Sequence, residues 1–240
     1  MKIITIWNLK GGVGKSTTSI NLAYNLSRTA KVLVMDLDPQ NNTTPFFARE
    51  EVVLGPTVLE VLNDPGLVYE SIKEGRYENL DYIKGSNYLT DAACDEQNLR
   101  IALGHIAPSY DYLVIDCRTS AESLTRAALN VADIVLTPIL LDGFSKDNLS
   151  EVRAALQGIE SKATWKIFIN RYRNTRIQRV MYDELETKYD YPFLDNMVSD
   201  RIAVQTALAV RKPVATHRAT NIVAADLREL TKEIVEIGGK

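Results

Sequence analysis

The chain has 240 residues, of which 45% are hydrophobic and 25% charged, so its composition is globular and excludes a disordered chain. It has two cysteines, Cys94 and Cys117, which excludes a disulfide scaffold and a four-cysteine zinc module within one chain. The net charge is −3, no apolar run reaches the roughly 18 residues of a membrane span, and residues 1–7 leave no room for a signal peptide, so we expect a soluble cytoplasmic protein.

The predicted elements alternate between apolar strands and segments with helical periodicity. In chain order they are a strand at Lys2–Asn8, a glycine-rich turn at Leu9–Gly14, a helix at Ser16–Arg28, a strand at Lys31–Asp36, a loop over 37–56, short helices within 57–74, a strand at Leu80–Lys84 and a helix at Cys94–Ile106. The second half gives a strand at Tyr112–Asp116, a helix at Ala121–Val131, a strand at Ile134–Pro138, a helix at Asp147–Ile159, a strand at Lys166–Asn170, a helix at Ile177–Lys188, a short strand near Tyr191–Leu194 that Pro192 weakens, and helices near Ala203–Val210 and Asn221–Ile237. Continuous apolar strands separated by helices predict an α/β fold, with a mainly parallel, doubly wound twisted sheet and helices on both faces. We expect residues 1–240 to form a single domain, because the sequence shows no repeat and no linker.

Charge is distributed unevenly along the chain. Residues 161–180 contain six Lys and Arg side chains and no Asp or Glu, whereas residues 50–100 are rich in acids. A basic stripe on an acidic protein can bind an anionic polymer locally. The alternative interpretation is a solvated helix face, which accounts for most charge runs.

The glycine-rich turn carries the strongest functional signal. Residues 8–18 read NLKGGVGKSTT and lie between a predicted strand and a predicted helix, which is the context of a phosphate-binding loop. The residues that would turn backbone N–H groups toward phosphate oxygens are Gly11, Gly12, Val13 and Gly14. Leu9 stands where the ordinary motif has its first glycine, and Lys10 adds a second lysine, so the pattern is K-G-G-x-G-K-[ST].

Three side chains after this loop suit nucleotide chemistry. Lys15 can reach the β- and γ-phosphates, Ser16 can ligate Mg²⁺ and Thr17 can donate to the α-phosphate. We therefore predict that the chain binds a nucleotide.

Acidic residues follow two of the predicted strands. Asp36 and Asp38 lie at the end of the second strand, and Asp116 ends the strand Tyr112–Asp116. Strand carboxyl ends in a parallel sheet open onto one ligand crevice, where acids can hold Mg²⁺ or orient an attacking water. Helix capping explains one such acid, but three beside a phosphate loop favour a magnesium and water site.

At these residues the sequence resembles the ParA/MinD branch of deviant-Walker P-loop ATPases, and most of all the small Soj-like ParA proteins that partition plasmids and chromosomes. The shared segments are the phosphate loop, Asp36–Gln40 with Asn42 and Thr43, YDYLVID at 110–116, ADIVLTPI at 132–139, and Arg211–Pro213 followed by a terminal helix ending in LTKEI. The loop is specific to the family, and the later segments follow in the right order over nearly the whole chain.

The resemblance implies a role for each motif residue. Lys10 would reach the ATP of the partner subunit across a sandwich homodimer, and Asp38 would position the attacking water. Lys15, Ser16 and Thr17 would bind the phosphates and magnesium. The remaining implied assignments are Asp36 and Asp116 for Mg²⁺, partly through water, Asn170 for the adenine base, and Arg173, Arg201, Arg211, Lys212 and Arg218 for non-specific double-stranded DNA.

The function implied is that of a DNA-segregation ATPase. ATP would build a homodimer that binds DNA, and a ParB-like partner would stimulate hydrolysis and release the DNA. Two alternatives use the same site: a positioning ATPase for a protein assembly, such as a chemosensory or conjugation assembly, and a nucleotide-gated module with suppressed hydrolysis. Suppressed hydrolysis is an alternative because Cys117–Thr119 occupies the positions where relatives have two prolines. Ser199–Arg201 likewise replaces the Pro-Arg-Asn of Soj-like proteins.

Other members of the branch fit less well. A membrane-binding member would end in a basic helix with aromatic residues, whereas residues 226–240 have no aromatic and three glutamates. A nitrogenase-reductase-like member would hold an iron–sulfur cluster, but we interpret Cys94 and Cys117 as buried or incidental thiols. A tyrosine-kinase member would carry a C-terminal tyrosine cluster, which this sequence lacks.

Overall fold

The structure is a computed structural model that describes residues 1–49, 54–90, 95–159 and 161–239. Through these residues the strands form one seven-stranded sheet in the order β3-β4-β2-β5-β1-β6-β7. The strands are β1 (Lys2–Ile6), β2 (Val32–Leu37), β3 (Ile72–Glu74), β4 (Leu80–Ile83), β5 (Tyr112–Cys117), β6 (Ile134–Ile139) and β7 (Thr164–Ile169). Neighbouring strands pair in parallel, apart from the antiparallel pair β3–β4. The predicted mainly parallel sheet is therefore confirmed.

Helices connect these strands and cover both faces of the sheet. The helices are α1 (Lys15–Leu26), α2 (Thr44–Phe47), α3 (Val58–Asn63), α4 (Val68–Ser71), α5 (Glu96–Ile106), α6 (Ser123–Val131), α7 (Ser145–Ile159), α8 (Arg176–Tyr189), α9 (Ile202–Ala209), α10 (Val214–His217) and α11 (Ile222–Gly238). Among the described residues, none of the helices is both long and apolar enough to cross a membrane.

Strand β2 shows how the sequence divides the core into two layers. Val32 and Val34 pack on one face with residues of α1, α9 and α11, whereas Leu33 and Met35 pack on the other with α3, α5 and α6. Successive strand side chains point to opposite faces, so an uninterrupted apolar strand needs a helix layer on each side. Helices on both faces are thus confirmed, and both layers hold the carboxyl ends of the strands in place.

Three short elements differ from the sequence-based prediction. Helix α2 lies within the predicted loop 37–56, where Pro45 opens a single turn that buries Phe46 and Phe47. Strand β3 lies at the end of a segment predicted to be helical, and α10 was not predicted. Elements of three or four residues are too short for periodicity to reveal. The helix predicted from Cys94 begins at Glu96, after an Asp95 cap, and Cys94 lies outside the described residues.

The segment near Tyr191–Leu194, predicted as a short strand, forms only an isolated bridge to β7. It follows the outer edge of β7: the Ile167 N–H donates to the Pro192 carbonyl at 3.0 Å, and the Leu194 N–H donates to the Ile167 carbonyl at 2.7 Å. Pro192 has no N–H to continue a ladder, which explains why the strand does not extend.

Helix α11 fixes the next part of this edge segment. The Glu233 carboxylate accepts the backbone N–H groups of Asp195 and Asn196 at 2.8 and 3.1 Å. The Asp226 carboxylate accepts the Ser199 N–H at 2.9 Å. Residues 195–199 are thereby held against the sheet edge by two side chains of the terminal helix.

The carboxyl ends of β1, β2 and β5 bring the predicted site residues together. Asp36 and Asp116 are direct partners in the β2–β5 register, and Ile6, the last residue of β1, pairs with Asp116. The glycine-rich loop that leaves β1 therefore starts beside both carboxyl groups, as expected for a parallel sheet.

Candidate nucleotide-binding site

The glycine-rich loop adopts a conformation that only glycine tolerates well. Gly12 and Gly14 have φ angles of 72° and 100°, in the left-handed region, and α1 begins directly afterwards at Lys15. A Cβ added to Gly14 would lie 2.2 Å from the Asn170 side-chain nitrogen, so a side chain at this position would displace the Asn170 amide. The loop is a concave turn of backbone at a helix N-terminus, the arrangement that binds phosphate.

Lys15 lies inside this turn. Its side chain is buried, and its ammonium donates a hydrogen bond to the Lys10 carbonyl at 3.1 Å, across the loop. Burial lowers the pKa of Lys15, while the nearby carboxylates of Asp116 and Asp38 oppose that shift. The cation is held where a bound phosphate chain would replace the carbonyl as its partner.

Asp36 organises the loop that follows β2. One carboxylate oxygen accepts the N–H groups of Thr43 and Thr44 at 3.0 and 3.3 Å, and the other accepts the Asp38 N–H at 3.1 Å. Burial raises the pKa of Asp36 despite these hydrogen bonds. Both oxygens are thus used by the backbone in this state, and the magnesium role of Asp36 stays a prediction.

Asp116 is fully buried, and only one of its two carboxylate oxygens has a hydrogen-bond partner among the described residues. Its Oδ1 accepts a hydrogen bond from the Ser19 hydroxyl at 2.9 Å, while its Oδ2 accepts none from any described residue. Burial and the adjacent Asp36 carboxylate raise the pKa of Asp116 to about 8, against the smaller opposing effect of the Ser16 and Ser19 hydroxyls. An orphaned carboxylate oxygen beside Ser16 fits a magnesium site, because a bound cation would satisfy it.

Within the described ranges, no group of three or more His, Cys, Asp or Glu side chains forms a metal cage. Magnesium bound with a nucleotide needs few protein ligands, because phosphates and waters supply most of its six positions. The residues present therefore fit Mg²⁺ that arrives with a nucleotide.

Lys10 points into its own subunit. Its ammonium forms a 2.7 Å ion pair with Asp142 in the β6–α7 turn and lies 5.4 Å from the ring centre of Phe144. Partial burial acts to raise the pKa of Asp142, but the hydrogen bonds from Lys10 and the Phe144 N–H outweigh it, so the pKa is lowered. The Lys10 N–H donates to Asn8 Oδ1, which also accepts from Asn148 of α7. The loop is thus tied to the start of α7.

The remaining predicted nucleotide residues surround the same loop. Asp38 is half-buried, and its carboxylate accepts the Gln40 N–H at 2.9 Å. Thr17 and Asn170 line a small cavity next to the loop, together with Thr18 and Ser199. The Asn170 amide donates to the Val13 carbonyl at 2.8 Å, so the residue after β7 is linked directly to the loop. The adenine contact of Asn170 stays a prediction.

Comparisons with known proteins agree with this geometry. A family model described as an AAA domain matches residues 1–170. The sporulation initiation inhibitor protein Soj of Bacillus subtilis is 28% identical over 251 residues, and the alignment covers 99% of this chain and 99% of Soj. The chain belongs to the ParA/MinD family of P-loop ATPases, near its Soj-like ParA members.

Solved structures of this family share the fold. A plasmid partition protein from Borrelia burgdorferi, bound to AMPPNP, superposes with a TM-score of 0.78 at 26% identity, covering 98% of this chain and 97% of its own. The septum site-determining protein MinD of Pyrococcus horikoshii, complexed with Mg-ADP, gives a TM-score of 0.83 at 20% identity and covers 99% and 97%. The Borrelia protein is described as bound to AMPPNP, and the Pyrococcus protein, at 20% identity, shows that the fold is shared.

The residues expected to contact DNA in a ParA-like protein are exposed but fall into two groups. Arg201 precedes α9, and Arg173, which precedes α8, is joined to that end of α9 by Asp200. Arg211 and Lys212 follow the other end of α9, about 12 Å away by the length of an eight-residue helix. Arg218 follows α10. Arg173 is not free: Asp200 binds it at 2.5 Å. The DNA contacts of these residues stay predictions.

Sequence reasoning missed Asp142, Ser19 and Asn8. Asp142 meets Lys10 from 132 positions away, and no motif marks it. Ser19 comes three residues after Ser16 in α1, about one helical turn, so helix periodicity could have placed both hydroxyls on the same face of the helix. Asn8 precedes the motif directly, and its polarity at the end of an apolar strand was the available signal.

Proposed function

We propose that residues 1–240 form one ATPase domain that segregates DNA by a nucleotide switch. ATP with Mg²⁺ builds a sandwich homodimer, the dimer binds non-specific double-stranded DNA, and slow hydrolysis, stimulated by a ParB-like partner, releases it. The protein would be cytoplasmic and associated with the nucleoid in its ATP-bound state.

The placement of the two loop lysines carries this proposal. Lys15 is buried inside the phosphate loop, whereas Lys10 lies at its rim, with 29% of its side chain exposed. A P-loop that served one subunit alone would need only the inner lysine. The outer lysine, held by Asp142, can exchange that partner for the phosphate of a second subunit, which would make dimerisation depend on ATP.

The other roles follow from the acids around the loop. Ser16 and Asp116 would hold the magnesium ion, which when bound offsets charge on the β- and γ-phosphates. Asp38 lies near both Lys15 and Asp116 and would orient the attacking water. Loop N–H groups would bind the phosphates and exclude water from them.

Anisotropy of a labelled duplex of arbitrary sequence tests the proposal. The protein is titrated at low salt with Mg-ATP, with Mg-ADP, or without nucleotide. We expect binding with ATP only, weakening steeply as salt rises, because phosphate contacts release counterions. ATP turnover measured on the same sample separates an enzyme from a nucleotide-gated module without hydrolysis.

No DNA binding with any nucleotide, from protein that binds ATP, would overturn the DNA part of the proposal. The basic residues would then be a solvated face, and a positioning ATPase that uses another matrix would take its place. Binding that is equally strong without nucleotide would contradict the switch.

A further inference from the structure

Five exposed arginines lie in two neighbouring segments, and two of them, Arg171 and Arg201, line the small cavity beside the phosphate loop. This arginine patch consists of Arg171, Arg173, Arg176, Arg179 and Arg201. It comes from two segments that lie side by side: the Tyr172 N–H donates to the Val198 carbonyl at 2.9 Å, and the Asp200 N–H donates to the Tyr172 carbonyl at 3.0 Å. Neighbouring backbones thus concentrate positive charge that a polyanion would recognise.

Helix stability does not explain these charges. Arg176 begins α8 and Arg179 lies in its first turn, where the helix dipole favours acids. The acids of α8, at Asp183, Glu184 and Glu186, lie in its later turns instead. The arginines at the start of α8 and the acids in its later turns are both unfavourable with the helix dipole. The partial positive charge at the start of α8 therefore adds to the positive charge of the arginine patch.

One carboxylate interrupts the patch. Asp200 is the single acid within residues 170–182 and 196–202. Its Oδ2 accepts a hydrogen bond from Arg173 Nε at 2.5 Å and forms an ion pair with Arg173 Nη2 at 2.5 Å, and its backbone carbonyl accepts from Arg201 at 2.8 Å. The Asp200 side chain is 23% exposed and that of Arg173 is 70% exposed, so a larger ligand can approach the guanidinium.

We propose that Asp200 is a built-in competitor for DNA phosphate at Arg173. A phosphate oxygen and a carboxylate oxygen make the same paired contact with a guanidinium, so only one of them can occupy this edge of Arg173 at a time. The inference rests on the proposed DNA binding and assigns a phosphate contact to Arg173 and an attenuating role to Asp200. Binding to DNA would break the Asp200–Arg173 pair, which keeps the affinity of the dimer low.

The test compares Asp200→Asn with the wild-type chain by duplex anisotropy in saturating Mg-AMPPNP. An exposed ion pair shifts an equilibrium by a factor of roughly two to five, and a dimer presents two copies to one duplex, so we expect about tenfold tighter binding. Because the wild type also makes the Arg173 phosphate contact once the pair is broken, the slope of log affinity against log salt should stay nearly the same in the two proteins. Nucleotide affinity and thermal midpoint are measured for each variant, because Asp200 also lines the cavity beside Thr17.

Glu229→Gln is the matched control. It removes one negative charge and releases Lys232, its 2.7 Å partner on α11, away from the arginine patch. We expect no change in DNA affinity from this variant. A gain equal to that of Asp200→Asn would overturn the inference, because net charge alone would then explain both.

A second control removes the arginine. In an Arg173→Gln background, Asp200→Asn should no longer tighten binding. The inference is overturned if the full gain persists in this background. It is also overturned if the wild type binds DNA and the Asp200→Asn variant binds no better. In both cases the proposed function stands. Failure of every variant to bind DNA in any nucleotide state would instead overturn the proposed function.

Discussion

At the scale of single residues, Gly14 and Gly11 test the shape of the phosphate loop. Gly14 has a left-handed φ and no room for a Cβ beside Asn170, whereas Gly11 has open space and no such φ. Gly14→Ala should destabilise the nucleotide-free protein by about 2 kcal/mol, a drop of roughly 4–8 °C in thermal midpoint. Gly11→Ala should leave the midpoint nearly unchanged.

Thermal unfolding of both variants by circular dichroism measures the difference. Equal midpoints for the two alanine variants would contradict the close contact between the loop and β7.

Asp116 should make the stability of the nucleotide-free protein fall as pH rises. Its pKa is raised from 3.8 to about 8 by burial and by Asp36. The stability that the protonated carboxyl contributes is complete below pH ~4 and is lost progressively as pH rises toward about 8, because the folded chain binds the additional proton. Asp116→Asn keeps the shape and removes the titration.

We therefore expect the thermal midpoint of the wild type to fall by several degrees between pH ~5 and ~8, measured without nucleotide or magnesium. The curve of Asp116→Asn should be flatter, with the remaining slope due in part to Asp36, whose pKa is also raised. Parallel curves for the two proteins would show that Asp116 does not titrate in this range.

The sequence predicts some features of the site and not others. Lys15 and the loop glycines follow from a motif of adjacent positions, so the sequence could bring them into one turn, and their roles stay predictions. The partner of Lys10 could not be predicted, because Asp142 reaches it only after β6 lines up beside β1 in the sheet. The Asp200–Arg173 pair is likewise a product of tertiary structure, since the two residues are 27 positions apart.

At the scale of elements, long periodic segments were predicted well and short ones were not. Strand β5 carries an apolar run of four residues before Asp116, and α7 shows a helical stripe, so each is recognisable alone. Strand β3 has three residues and exists because β4 offers a free edge for antiparallel pairing. Its conformation depends on a neighbour more than on its own sequence.

The β6–α7 turn links the chemistry of the loop to a whole helix. Asp142 accepts the Lys10 ammonium, Ser145 donates to the Leu140 carbonyl at 2.5 Å, and α7 starts at that serine. A movement that carries Lys10 away from Asp142 would remove one of the contacts made by this turn.

At the scale of the whole molecule, Lys10 should separate nucleotide binding from dimer function. Lys10→Ala should bind ATP nearly as well as the wild type, because Lys15 remains inside the loop, but it should neither dimerise with ATP nor hydrolyse it. Lys146→Ala, which removes an exposed lysine close to the same turn, is the control and should keep both activities.

Light scattering with Mg-AMPPNP and a phosphate-release assay give the two readouts. Normal turnover by the Lys10→Ala protein would rule out a role for this lysine across the subunit boundary.

The two edge strands of the sheet, β3 and β7, affect how readily the chain aggregates at high concentration. An unpaired edge strand is a template on which other chains can add strands and aggregate. Strand β3 limits this hazard by being three residues long, whereas the longer β7 is shielded by residues 192–198. Because Glu233 and Asp226 hold residues 195–199 at this edge, we expect that cleavage of α11 would expose β7 and promote aggregation.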